Sequence, residues 1–144
     1  MVRRALKSIS LAACAKVTNT SLEAAGSHYR SLESLSLDSG FIHDKGVLAV
    51  AQGCPQLVLS FYYINVTDAI FLQESVCYWK GNKRLKSLTL NDCTFLSDRG
   101  LEAVAVGCAG LTHLEVNGCH NIGTYGLESI ARSCTYLHYL VLYF

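Results

Sequence analysis

A 26-residue period is written into this sequence twice, and it limits the chain to architectures made by stacking copies of one small unit. Leu85-Lys86-Ser87-Leu88-Thr89-Leu90-Asn91-Asp92-Cys93 is followed by Leu96, Asp98, Gly100-Leu101, Val104-Ala105 and Cys108. Leu111-Thr112-His113-Leu114-Glu115-Val116-Asn117-Gly118-Cys119 then leads to Ile122, Thr124, Gly126-Leu127, Ile130-Ala131 and Cys134. Leu88 returns as Leu114, Cys93 as Cys119, Gly100 as Gly126 and Cys108 as Cys134, each after 26 positions. Self-similarity at such a fixed period marks units that cannot bury their apolar face alone and do so against the next copy.

The unit has two halves with different periodicities. The L-x-x-L-x-L opening sends alternate side chains to opposite faces, which predicts a short strand. Leu101, Val104, Ala105 and Cys108 fall at i, i+3, i+4 and i+7, which predicts one buried face of a helix. Ser97 or Asp98, and Thr124 in the next copy, are the expected N-cap oxygens. L-x-x-L-x-L-x-x-C is the leucine-rich-repeat spacing, with cysteine at its last position. The expected fold is therefore α/β, a right-handed leucine-rich-repeat solenoid arc of about five repeats plus a final strand.

Taken in order, 1–144 reads as a single domain of such repeats, near 6–31, 32–56, 57–84, 85–110 and 111–136, with a partial copy at 137–144. The first carries Leu6, Ile9, Leu11, Cys14 and Leu22, but Ala25, Gly26 and Tyr29 where the fourth has Val104, Ala105 and Cys108. In the second, Gly40 stands where cysteine is expected, and the unit is one residue shorter. The third is irregular. Leu57 to Tyr63 alternates with period two without fitting L-x-x-L-x-L; Leu72, Val76 and Trp79 form a shifted helical stripe; Gly81 to Arg84 reads as a loop. A distorted or partly disordered repeat is expected there. Apolar residues at both ends, from Leu6 and through Val141 to Phe144, suggest a piece of a longer arc.

Near-neutral charge excludes several partner classes. With formal net charge +1 and no Lys/Arg run, nothing favours nucleic acid or an acidic membrane surface. No apolar stretch reaches the roughly 18–20 residues of a membrane span. The first 22 residues lack Asp and Glu, but Lys7, Ser8, Ser10 and Lys16 interrupt any apolar core of a targeting signal. Seven cysteines, an odd number, four of them recurring at repeat spacing, point to reduced buried thiols in a cytoplasmic or nuclear protein.

No catalytic or metal constellation emerges. Cys14, Cys93 and Cys119 hold the turn after the strand and Cys54, Cys108 and Cys134 close the helix face, as a structural spine would. There is no C-x-x-C and no H-x(3–5)-H for zinc, and Cys119-His120 is adjacent rather than ligand-spaced. His113 should face outward while Cys119 faces inward, so a thiol–imidazole pair is not formed. Cys77, in the irregular unit, is the one thiol that could be reactive. Gly100 and Gly126 recur singly at helix starts as packing glycines, not as a phosphate loop. The expectation is a non-enzymatic chain with no cofactor and no metal.

What remains is the outward face of the strands. Its columns read Ser8/Ser10, Ser34/Ser36, Ser87/Thr89, His113/Glu115 and Tyr139/Val141, followed by Ala12, Asp38, Asn91, Asn117 and Tyr143. Candidate partner contacts are therefore Ser34, Ser36, Asp38, Ser87, Thr89, Asn91, His113, Glu115, Asn117, Tyr139 and Tyr143, with the two tyrosines as anchors. An arc of about 24 Å by about 10 Å of strand offers on the order of 240 Å², against about 800 Å² per partner in a standard interface.

Leu96-Ser97-Asp98-Arg99-Gly100-Leu101-Glu102-Ala103-Val104-Ala105-Val106-Gly107-Cys108 and Leu114-Glu115-Val116-Asn117-Gly118-Cys119-His120-Asn121-Ile122-Gly123 resemble the cysteine-containing repeats of F-box/leucine-rich-repeat proteins, particularly plant ones. The resemblance covers nearly the whole chain and is most specific over 85–134. It implies the substrate-recognition repeats of an SCF-type E3 ubiquitin ligase receptor, which present a protein substrate for degradation. No F-box precedes the first repeat, so a Skp1-type adaptor is expected as a partner only if an F-box lies outside this chain. The alternative is a free-standing repeat scaffold or inhibitor-like binder without ligase association.

Overall fold

The computed structural model describes residues 5–54, 58–62, 64–72 and 85–143. Strands and helices alternate: β1 Ser8–Ala12, α1 Asn19–His28, β2 Ser34–Asp38, α2 Asp44–Gly53, β3 Val58–Tyr62, α3 Ala69–Leu72, β4 Ser87–Asn91, α4 Asp98–Gly107, β5 His113–Asn117, α5 Thr124–Ser133 and β6 Tyr139–Tyr143. The six strands form one parallel sheet in the order β1-β2-β3-β4-β5-β6. Each strand therefore pairs with its sequence neighbours, and the helices stack behind them, α1 on α2 and α4 on α5. This is an α/β leucine-rich-repeat solenoid.

The leucine spacing sets the sheet register. Ile9 lies beside Leu35, Leu35 beside Leu59, Leu59 beside Leu88, Leu88 beside Leu114 and Leu114 beside Leu140. Leu35, Leu37, Leu88, Leu90, Leu114 and Val116 point inward and are buried, as are Leu101, Val104, Ala105 and Cys108 on α4. Each interior layer is thus covered on both sides by equivalent residues of its neighbours. Position within the stack decides the burial: Leu114 is 1% exposed, whereas Leu140, with a neighbour on one side, is 44% exposed.

The third unit joins this scheme through its front half. β3 pairs in parallel with both β2 and β4, and Leu59, Ile64, Val66, Ile70 and Phe71 are buried. Ser34 to Val58 spans 24 positions and Leu59 to Leu88 spans 29, so the departure from 26 is confined to connections and the ladder keeps its register. Leu57, Tyr63, Val76, Cys77, Trp79 and Gly81 to Arg84 lie outside the described residues.

The helix starts contain a device that local capping rules do not anticipate. Ser97 caps α4 as expected, its hydroxyl accepting from Arg99 N. Thr124 does not cap α5: the N-cap is Gly123, which has no side chain, and its N–H donates to Asp98 Oδ1 of the preceding unit at 2.7 Å. The same link recurs down the stack. Asn19 Oδ1 accepts from His43 N at 3.0 Å, Asp44 Oδ1 from Thr67 N at 2.7 Å, and Asp68 Oδ1 from Ser97 N at 2.8 Å. Asp44 and Asp68 each also accept a hydroxyl, from Thr67 and Ser97. The starts of α2, α3, α4 and α5 are therefore each closed by a side chain of the unit before, which satisfies N–H groups the helix cannot.

This ladder explains the recurring glycines. A Cβ at Gly126 would sit 2.7 Å from Asp98 Oδ1 and 3.1 Å from Asp98 Cα; at Gly46 it would meet Asn19 and at Gly100 Asp68 in the same way. The glycine makes room for the acceptor. At the other end of the connection, Ala13, Asp92 and Gly118 adopt positive φ (52°, 53° and 63°) immediately before Cys14, Cys93 and Cys119. That left-handed step turns the chain so the following thiol faces inward.

Candidate functional site

Alternation within the strands leaves three outward columns, with the inward residues fixed in the core. The first runs Ser8, Ser34, Val58, Ser87, His113 and Tyr139; the second Ser10, Ser36, Ser60, Thr89, Glu115 and Val141; the third Ala12, Asp38, Tyr62, Asn91, Asn117 and Tyr143. All eleven candidate residues read from the sequence lie in these columns: Ser34, Ser36, Asp38, Ser87, Thr89, Asn91, His113, Glu115, Asn117, Tyr139 and Tyr143. The sequence reading missed Val58, Ser60 and Tyr62, because β3 does not follow the leucine spacing that located the others.

The surface changes character along the stack. Its N-terminal part is a floor of serine hydroxyls. Towards β6 it becomes polar and aromatic, with Tyr139 61% and Tyr143 69% exposed. The Tyr139 ring stacks on His113, centroids 4.5 Å apart and planes at 19°. His113 Nδ1 lies 2.7 Å from Thr112 Oγ1, and Asn117 Nδ2 donates to Glu115 Oε1 at 2.6 Å. These contacts fix the side chains before any partner arrives, which lowers the ordering cost of binding. Asn91 Oδ1 and Asn117 Oδ1 are buried acceptors without a hydrogen-bond partner among the described residues.

The strands have five residues each, longer than the short strands expected. At about 3.3 Å per residue and about 4.8 Å between strands, the face measures on the order of 24 by 16 Å, or about 400 Å². That still falls well below the about 800 Å² per partner of a standard interface. The surface grooves lined by Glu23, Asp44, Lys45, Leu48, Ala49 and Gln52, and by Lys86, Ala109, Gly110 and Tyr136, involve none of the three columns.

Two further exposed side chains border the third column. Phe41 follows β2 and Phe95 follows β4, each 58% exposed and each immediately before a buried aliphatic, Ile42 or Leu96. The signal was present in the sequence as a phenylalanine at the same place in two units, outside the leucine and cysteine pattern.

The cysteines behave as packing groups. Cys93 and Cys119 Sγ donate to the carbonyls of Asn91 and Asn117, and Cys54 and Cys134 Sγ to those of Tyr29 and Cys108. Burial, together with the charge of neighbouring Cys134, pushes the Cys108 thiol up to about 12. A hydrogen bond with Cys119 and burial raise Cys93. His113 stands on the outward face and Cys119 in the core, so the two do not meet. Cys77 lies outside the described residues. No helix of the described residues is long and apolar enough to cross a membrane.

A family model described as Leucine Rich repeat matches residues 81–105 and 108–131. The fold is similar to that of a chain in the crystal structure of the Rad7 and Elc1 complex of yeast, with a TM-score of 0.79 and 17% identity over 99% of this chain. This chain spans 36% of the length of that one. Leucine-rich repeats imply protein–protein interaction, and the outward strand face is the candidate surface for it.

Proposed function

We propose that this chain is the substrate-recognition part of an SCF-type E3 ubiquitin ligase receptor, acting in ubiquitin-dependent protein degradation in the cytoplasm or nucleus. The observation that carries the reading is the unit itself: a buried cysteine closing each of the strand turns at Cys93 and Cys119, within the spacing that resembles F-box/leucine-rich-repeat proteins. The likeness to a chain from a two-protein complex supports a role in assembly. In this role the chain performs no chemistry. It holds a protein substrate on a rigid strand face, while a Skp1-type adaptor would engage an F-box outside these residues.

The test is affinity purification of the full-length gene product from its native cells, with the adaptor and cullin quantified. Stoichiometric Skp1 and cullin are expected. Recovery of neither would overturn the ligase assignment and leave a repeat scaffold that binds protein without ligase association.

A further inference from the structure

The phenylalanines that border the third column sit on rigid loops. Asn65 Nδ2 of the following unit donates to Gly40 O at 2.7 Å, and Asn121 Nδ2 donates to Thr94 O at 2.7 Å. Each braced carbonyl belongs to the residue just before a phenylalanine, Phe41 or Phe95. The two rings are thus held out in water on braced backbone at the same place in two units.

Each ring also follows a carboxylate by three residues: Asp38 precedes Phe41, and Asp92 precedes Phe95. No ion pair or side-chain hydrogen bond engages the carboxylate of Asp38 or Asp92 among the described residues, where the salt bridges are Lys7–Glu33, Lys45–Glu23 and Arg132–Glu128. None of the outward strand positions is lysine or arginine. The edge combines carboxylates with aromatic faces. In the first unit the position equivalent to Phe41 is Lys16, so this character begins at the second unit.

We propose that this edge recognises an extended protein segment carrying two cationic side chains, one held by Asp38 and Phe41 and the other by Asp92 and Phe95. A carboxylate and an exposed ring on the same edge of the sheet can both attract a guanidinium or ammonium group, the one through charge and the other through the ring quadrupole. The loops that carry Phe41 and Phe95 follow β2 and β4, two strand steps or about 10 Å apart. In an extended polyproline-type segment, residues i and i+3 lie on one side about 9.3 Å apart. The preferred segment therefore has two arginines or lysines separated by two residues. The proposal deepens the protein-binding reading by naming the class of substrate segment, and it does not depend on the ligase assignment.

The experiment is an NMR titration of the ¹⁵N-labelled full chain with three synthetic peptides: Gly-Arg-Pro-Pro-Arg-Gly, the same with one proline, and Gly-Glu-Pro-Pro-Glu-Gly. Saturable shifts centred on the Phe41 and Phe95 loops are expected with the first peptide. Weaker binding is expected with the second and none with the third. Phe95→Ala should weaken the first peptide by about two- to fivefold, the range for an exposed cation–ring contact. Asp38→Asn and Asp92→Asn keep the side-chain shape, and Asn tolerates the positive φ at position 92, so both should fold and lose affinity. Equal binding of the three peptides, shifts confined to another surface, or variants that bind like the parent would each overturn the proposal. Copurification of Skp1 is a separate readout, so loss of the ligase reading and loss of this one are distinguishable.

Discussion

Replacing Asp98 with alanine tests the claim that each unit closes the helix of the next. Asp98 Oδ1 accepts the Gly123 N–H at 2.7 Å, and Asp98 is also the first residue of α4, where a carboxylate complements the helix dipole. A hydrogen bond to a charged group is worth about 1.5–3 kcal/mol and the dipole contribution about 0.3–1 kcal/mol. Asp98 is half-buried, so the lower part of each range applies and a loss of about 2 kcal/mol is expected in Asp98→Ala. With a urea slope of about 2 kcal/mol/M for a chain of this size, the unfolding midpoint should fall by about 1 M at unchanged slope. Asp98→Asn keeps an amide oxygen at the same place, as Asn19 already does for His43 N, and should recover more than half of the loss. The assay is urea unfolding followed by far-ultraviolet circular dichroism. An alanine variant within about 0.3 kcal/mol of the parent, inside the range of an ordinary surface change, would refute the ladder as a stabilising device. So would an asparagine variant no better than alanine.

Gly126→Ala, a change that gains up to about 1 kcal/mol within an ordinary helix, should instead cost about 1–3 kcal/mol because the new Cβ meets Asp98; urea midpoints of the single variant and of the Asp98→Ala/Gly126→Ala pair should show the clash partly relieved in the pair. Leu114→Ala, in a fully covered interior layer, should lower stability by about 2–5 kcal/mol, whereas Leu140→Ala, 44% exposed, should cost clearly less in the same assay. Unfolded thiols ionise near pH 8.5, while folded Cys108 is held up to about 12; its folded state keeps a proton that the unfolded state releases. Stability should thus be intact below about pH 8 and fall as pH rises towards 12, and Cys108→Ala should flatten part of that fall in urea midpoints measured from pH 7.5 to 10.5.

Leucine spacing made the sheet legible: a shift of 26 in sequence became a pairing of Leu88 with Leu114 in space, because neighbouring copies present the same inward side chains to each other. The outward columns followed by alternation. The third unit was harder to read, since its strand keeps the inward–outward order without the leucine pattern and its connections have other lengths. The ladder was invisible to local rules for a different reason. Asp98 and Thr124 both look like caps for their own helices, but the acceptor that closes α5 comes from the unit before it, and that contact exists only after stacking. Phe41 and Phe95 escaped notice because a repeat pattern is read from the residues it conserves in the core, and these stand beside it.

The Asp/Asn ladder also gives the stack a polarity. Each unit lends an oxygen forward to the next and receives its own from behind, so a unit removed from the middle leaves an unanswered N–H on one flank and an idle carboxylate on the other. Splicing two such arrays should therefore succeed only at junctions where an Asp or Asn begins the upstream helix and a glycine two residues into the downstream helix leaves space for it. Asn19 and Asp98 mark such joints, facing Gly46 and Gly126, and Thr124 marks the place where a graft would first need repair.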